Sequence, residues 1–297
     1  MRYRTPAALE MAVKAAAKAS PLDTNLAISG FYFHRLLCRV FREKDRKFVL
    51  KDGLSVLART VDARATRDID LLAQETELGA AVEELRRLAS VDLGDFMAFL
   101  FDKAEPIKSD DEYRSGAKVW FTPTLGGKPL QPLSIDLVVD EVDGLAPEVL
   151  KPADRLDIDG LPVFDHPIYR AECALADKLL AMLETHNGRP SSRVKDLVDA
   201  VVYAKACEID SAILVERVAK EAATRKVELP KAFAIPASWF ENYEASYKKM
   251  AKQAKADDVA PNLENAQELA RKLYEPAFEG HRDHAKWNPG SMRWVEE

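Results

Sequence analysis

The sequence predicts an α+β fold, with a mixed sheet and flanking helices in a core domain over residues 1–160 and a helical C-terminal domain over 161–297. The sheet is predicted by two apolar-rich segments, 117–121 and 133–139, which flank a Gly-Gly turn in the manner of a β-hairpin. The second domain is predicted by apolar residues at helical spacing after a proline-rich stretch that ends at Pro167.

Composition excludes several classes of protein. The 297 residues are 47% apolar and 31% charged, with a net charge of −6, so the chain as a whole is not of the basic nucleic-acid-binding type. Cys38, Cys173 and Cys207 are far apart and give neither zinc-ligand spacing nor a disulfide framework. No apolar stretch approaches the roughly 18 residues that would span a bilayer. These features predict a cytoplasmic protein that does not enter a membrane.

The first 46 residues differ in charge from the rest of the chain. Helices are predicted over 6–18 and 31–43, and the segment carries nine basic and four acidic side chains, a net charge of +5. Arg35, Arg39 and Arg42 lie on one side of the second helix, opposite its apolar stripe. This face is a candidate surface for RNA or another polyanion. A merely solvated face, or a surface for an acidic partner protein, is left open.

The segment 51–72 contains the strongest chemical signal. A strand is predicted near 46–51, a short helix after Gly53, and a second strand over 68–72. Asp68 and Asp70 are two residues apart and therefore point to the same side of that strand, as suits a hard cation such as Mg²⁺. Backbone N–H groups of the turn at Gly53 and Ser55 could hold a phosphate beside it. The alternative is an ordinary solvated loop.

Three further acidic positions and one lysine stand out. Asp136 lies within an apolar strand, where a carboxylate needs a partner or a metal, and is a candidate third carboxylate. In the helical region, Lys178 has apolar neighbours on the helix predicted over 168–186. Asp196 and Asp199 share one face of the next helix.

Taken in order, these motifs resemble the AbiEii/AbiGii family of nucleotidyltransferase toxins, which includes the MenT toxins. The resemblance is carried by K-x-G-x-S, R-x-T-x-D-I-D, a later I-D, A-x-K and R-x-K-D-L-x-D, and it extends over residues 30–205. It implies a nucleotidyltransferase-type core, an NTP donor, Mg²⁺, an RNA acceptor such as the tRNA 3′ end, and a cognate antitoxin protein.

The resemblance also implies roles for individual residues. Lys51, Gly53 and Ser55 match the motif that binds the nucleotide phosphates. Asp68 and Asp70 match the catalytic metal pair, and Asp136 matches the acidic position of the later strand. Lys178 matches the lysine that contacts the triphosphate, and Asp196 matches a catalytic aspartate. One departure is Asp52, which stands where the family has a glycine and would repel a triphosphate unless turned away.

Competing functions are less well supported by the residues. A haloacid-dehalogenase-type phosphatase would place an apolar strand before its D-x-D, whereas residues 64–67 are Arg-Ala-Thr-Arg. A glycosyltransferase would need a nucleotide-sugar domain that the sequence does not show. A catalytically inactive nucleotidyltransferase-like binding module remains the alternative from another class.

Overall fold

A computed structural model describes most of the chain. The described residues are 3–63, 66, 68–74, 77–107, 115–140, 145–186, 188–280 and 284–296. They divide into two compact units, Met1–Val61 with Thr66–Tyr169 and Asp62–Ala65 with Arg170–Glu297. The boundary expected at 160/161 stays a prediction about independently folding domains.

The first unit contains four helices and eight strands among its described residues. The helices are α1 (Pro6–Ala19), α2 (Thr24–Val40), α3 (Asp52–Arg59) and α4 (Leu78–Ala89). The strands are β1 (Phe48–Lys51), β2 (Ile69–Ala73), β3 (Met97–Pro106), β4 (Ser115–Leu125), β5 (Lys128–Pro129), β6 (Leu133–Val139), β7 (Glu148–Leu150) and β8 (His166–Ile168).

These strands form one mixed sheet in the order β3-β4-β6-β2-β1-β8-β7, with β5 paired to β4. The pairs β2–β6 and β1–β8 are parallel, and the other neighbours are antiparallel. Apolar side chains on alternate residues of β4 and β6, such as Val119 and Ile135, are fully buried. This alternation confirms the α+β core with a mixed sheet that the sequence predicts.

Element boundaries depend on caps that lie outside the periodic stretches. Helix α2 begins at Thr24 rather than near 31, because the Asp23 carboxylate accepts hydrogen bonds from the N–H groups of Asn25 and Leu26. Helix α4 begins at Leu78, with Glu77 as its N-cap residue, and ends at Ala89. Strand β3 was not predicted, although it forms an edge of the sheet.

The second unit is mainly helical. Its helices are α5 (Ala171–Leu183), α6 (Val194–Ala206), α7 (Ser211–Arg225), α8 (Ser238–Asn242), α9 (Glu244–Gln253) and α10 (Leu263–Glu279). Short strands accompany them: β9 (Thr185–His186), β10 (Arg189–Pro190), β11 (Ile209–Asp210), β12 (Ala285–Asn288) and β13 (Arg293–Glu296).

The C-terminal tail packs onto the second unit. Strands β12 and β13 of this tail form a hairpin. The fully buried Trp287 donates from Nε1 to the carbonyl of Ala204, and Trp294 lies edge-on with its ring centre 5.6 Å from that of Trp287.

Candidate active site

Four charged side chains form one row across the middle of the sheet. Lys118 on β4 is in register with Asp136 on β6, Asp136 with Asp70 on β2, and Asp70 with Lys51 on β1. Register partners on adjacent strands point to the same face of a sheet. The order across the face is therefore Lys-Asp-Asp-Lys. Asp68 precedes β2 by one residue and is exposed.

The centre of this row carries an excess of negative charge. Partial burial, followed by the charges of Asp52, Asp136 and Asp68, raises the pKa of Asp70 to about 7, and only Lys51 acts in the opposite direction. Crowding of carboxylates is costly unless a cation or a proton neutralises it. Asp68 and Asp136, which the sequence predicted to share a site with Asp70, therefore lie near enough to act on its charge, and so does Asp52.

The donor atoms of the row, which are carboxylate oxygens, suit a divalent cation. Carboxylate oxygens are the preferred ligands of Mg²⁺, and the repulsion at Asp70 is what such an ion would relieve. Among the described residues, no group of three or more His, Cys, Asp or Glu side chains is arranged so that it could hold a metal ion. The type of ligand atom fits Mg²⁺, and the binding of this ion remains a prediction.

The turn between β1 and α3 has an unusual backbone. Asp52 has φ of 49°, in the left-handed region that glycine adopts without strain. A Cβ atom at Gly53 would lie 2.8 Å from Oγ1 of Thr66, so this backbone approaches the segment before β2 too closely for a side chain. The first turn of α3 therefore lies beside the row.

The side chains of this turn are already engaged. Ser55 is buried, and its hydroxyl donates to the Asp52 carbonyl at 2.7 Å, so it supports the turn from within. The Lys51 ammonium lies 4.3 Å from the ring centre of Tyr169, a cation–π contact that orients it. Sequence reasoning found Lys51 and Ser55 but missed Tyr169, because nothing in the local pattern links residue 169 to β1.

The expected face of basic residues on α2 is wrong for two of its three members. Arg35 and Arg39 are buried, and both bind the fully buried Asp95. The Asp95 carboxylate accepts from Arg35 Nε at 2.7 Å and from Arg39 Nη2 at 2.7 Å. Burial opposes ionisation, but the hydrogen bond from Arg39 and the charge of Arg35 hold the pKa of Asp95 below its ordinary value. Arg42 is exposed and follows the end of the helix. The three arginines therefore do not form an RNA-binding face.

In the second unit, Lys178 belongs to a separate buried cluster. Its ammonium donates to Asp199 Oδ2 at 2.9 Å and lies 3.5 Å from Asp196 Oδ1. Asp196 also accepts from Nε of the half-exposed Arg193 at 2.6 Å. The Lys178 side chain is buried, and of these two carboxylates Asp199 is the nearer.

Carboxylates on neighbouring strands, beside a strand-to-helix turn that presents backbone N–H groups, define a site suited to reactions of nucleotide phosphates. A family model described as "Nucleotidyl transferase AbiEii toxin, Type IV TA system" matches residues 35–278. The chain belongs to this family, which confirms the resemblance seen in the motifs. A toxin–antitoxin family implies an antitoxin partner and a nucleotide substrate.

Two solved structures are similar to the chain. A crystal structure of JHP933 from Helicobacter pylori has 12% identity and a TM-score of 0.43, with 86% of this chain and 95% of that chain covered. A putative nucleotidyltransferase from H. pylori has 14% identity and a TM-score of 0.41, with 83% and 96% covered. No curated protein sequence matches the chain. In the part of the chain that the structure describes, no helix combines the length and apolar character needed to cross a membrane.

Proposed function

We propose that this protein is a toxin that transfers a nucleotidyl group from an NTP to RNA, at the 3′ end of tRNA, and so blocks translation. Family membership supports a toxin nucleotidyltransferase. The observation that carries the reaction is the register of Asp70 with Asp136, two carboxylates side by side on parallel strands. Asp68 and the turn of α3 lie on the same part of the sheet.

The carboxylates provide the cation site. In the proposal, Asp68, Asp70 and Asp136 hold Mg²⁺, and a bound Mg²⁺ neutralises the triphosphate and orients its α-phosphorus for attack. The Asp136 side chain is about one-third exposed, so it can also accept the proton of the attacking hydroxyl. Asp70, crowded by like charges, gains most from the cation.

The β1–α3 turn holds the triphosphate in this scheme. The N-terminus of α3 presents backbone N–H groups, and glycine at position 53 lets the backbone approach closely. Lys51 supplies a positive charge that Tyr169 holds in place. Ser55 acts by fixing the turn through its bond to the Asp52 carbonyl. The Asp52 carboxylate weakens the affinity for the nucleotide, since its charge reaches the centre of the row.

Lys178 and Asp196 complete the proposal. The resemblance implies that the Lys178 ammonium contacts the triphosphate and that Asp196 is catalytic, and we retain both roles as predictions. Asp196 contributes by orienting that ammonium, with which it forms an ion pair at 3.5 Å. The alternative function is an inactive nucleotidyltransferase-like binding module, which would bind an NTP at the same carboxylates without transferring it.

The test is label transfer by the purified protein. Each α-³²P-labelled NTP is incubated with total tRNA and Mg²⁺, and the RNA is resolved on a denaturing gel. We expect label in tRNA from at least one NTP, its loss with EDTA, and its loss in Asp136→Asn. The control is Glu268→Gln, which changes an exposed carboxylate on α10 and should leave transfer unchanged. Binding of NTP without label in any RNA would support the inactive module instead.

A further inference from the structure

The face of the sheet that carries the charged row continues onto β4 and β3. Lys118 and Trp120 are two residues apart on β4, so both point to the face of Asp136 and Asp70. Trp120 is in register with Lys103 on β3, whose ammonium lies 4.6 Å from the centre of the indole ring. A cation and an aromatic ring therefore extend the row beyond Asp136.

This part of the face is open to a ligand. Lys118 and Trp120 are both partly exposed, while the residues that alternate with them on β4, Ala117, Val119 and Phe121, are buried. Helix α4 packs on that opposite side, where the guanidinium of Arg86 lies over the ring of Phe101, the register partner of Phe121.

Lys118 forms an ion pair with Asp136, the carboxylate next to it in the row. Its Nζ lies 3.0 Å from Asp136 Oδ1, and about a third of each side chain is exposed. The ammonium therefore lies within reach of both Asp136 and solvent.

The in-line geometry of the transfer indicates from which side of the row the acceptor hydroxyl arrives. With strands about 4.8 Å apart, the three strand spacings from β1 to β4 place Lys51 and Lys118 roughly 14 Å apart along the row. Attacking and leaving oxygens lie in line on opposite sides of the phosphorus. If the leaving pyrophosphate is held at the β1 turn, the attacking hydroxyl arrives from the side of β6 and β4.

We infer that Lys118 and Trp120 bind the end of the single-stranded RNA acceptor, Lys118 at a phosphodiester and Trp120 by stacking on a base. This inference rests on the proposed function, which supplies the acceptor. Grooves for single-stranded nucleic acid combine cations along the backbone with aromatic platforms for the bases. The assignment also replaces the arginines of α2, two of which are buried and paired with Asp95.

The test measures RNA binding separately from catalysis. The probe is a 5′-fluorescein single-stranded RNA 12-mer, titrated with the full-length protein by fluorescence anisotropy at several salt concentrations. Lys118→Met should lower the slope of log affinity against log salt by about 0.7, the contribution of one phosphate contact on a single strand. Trp120→Ala should weaken binding about fivefold or more, with the slope retained.

Matched controls isolate the site. Lys151→Met removes another lysine that is paired with an aspartate, at 2.6 Å from Asp157, and should change neither slope nor affinity. Lys118→Arg should restore the slope and remains informative if Lys118→Met does not fold. The affinity for Mg²⁺ with a non-hydrolysable NTP analogue, measured by calorimetry, should be unchanged in Trp120→Ala and should not be weakened in Lys118→Met, which frees Asp136 from its ion pair.

Each outcome separates the inference from the function on which it rests. Unchanged RNA affinity and slope in Lys118→Met and Trp120→Ala would overturn the inference even if the wild type labels tRNA. A loss of NTP affinity in Lys118→Met would overturn it as well, by placing the lysine on the donor side. Binding that depends on both residues, in a protein that labels no RNA, would support the inference and refute the proposed transferase activity.

Discussion

The first unit contains two groups of cations and carboxylates with opposite properties. At Asp95, two arginines serve one carboxylate, and all three side chains are almost completely buried. In the row through Asp70, the carboxylates Asp52, Asp68 and Asp136 add to its negative charge, and the ion pair at the end of the row is about one-third exposed. The first group is satisfied by the protein itself. The second retains a negative excess that a bound cation could neutralise.

The comparison shows that burial and charge balance distinguish a structural ion pair from a binding site better than residue type does. Arginines are common in RNA contacts, yet the Arg39 guanidinium donates hydrogen bonds to Asp95 and to the carbonyls of Arg35 and Met97. Removing one partner of such a buried group leaves an uncompensated charge. We therefore expect substitutions in the buried groups to lower stability and substitutions in the row to lower activity.

The largest effect on stability is expected for Asp95→Ala. This change leaves Arg35 and Arg39 buried without their carboxylate, and should lower the free energy of unfolding by about 3–5 kcal/mol. Urea denaturation followed by circular dichroism measures it. Asp102→Ala, at an exposed carboxylate on β3, serves as the control and should stay within about 0.5 kcal/mol of the wild type. Equal stabilities of the two variants would contradict the structural role of Asp95.

In the second unit, Asp196 has one buried partner, Lys178, and one half-exposed partner, Arg193. Lys178→Met leaves Asp196 and Asp199 buried with less positive charge, and should cost about 3 kcal/mol of unfolding free energy. Arg193→Gln removes a half-exposed partner of Asp196 and should cost about 1 kcal/mol or less. Denaturation curves of the two variants provide the measurement. A larger loss for Arg193→Gln would show that the burial argument fails here.

The smallest effect is expected at Asp52. Asp52→Gly removes a negative charge beside the row and should increase NTP affinity about two- to fivefold, which corresponds to about 0.5–1 kcal/mol. Asp52→Ala removes the same charge but keeps a Cβ atom at a positive φ, so the glycine variant should be the more stable of the pair. Calorimetric titration and denaturation of both variants separate charge from backbone strain. Weaker nucleotide binding by both variants would indicate that Asp52 holds the cation itself.

The sequence was sufficient to single out the carboxylates of the candidate site. Asp68 and Asp70 follow from the period of a strand, and Asp136 follows from a carboxylate in an otherwise apolar strand. The register that pairs Asp136 with Asp70 could not be predicted, because it depends on the parallel pairing of β2 with β6, two strands about 60 residues apart in the chain. Lys118 and Tyr169 were missed for the same reason.

The error at Arg35 and Arg39 has a different physical origin. Helical spacing shows that two arginines share a face, but it does not show what covers that face. Here the partner is Asp95, which lies outside any helix or strand and 56 residues after Arg39. The bond to Met97 O was equally hidden, because β3 itself was not predicted. Long-range pairing of a buried charge leaves no local signal in the sequence.

The most direct test of the account compares Asp70→Asn with Asp95→Asn in the same preparations, for both label transfer to tRNA and urea unfolding. Asp70→Asn should lose transfer by about 100-fold or more while its unfolding midpoint is unchanged or higher, because one of several crowded charges is gone. Asp95→Asn should unfold at lower urea, yet transfer label at the wild-type rate while it is folded. Transfer by Asp70→Asn at the wild-type rate would contradict the assignment of the row as the active site.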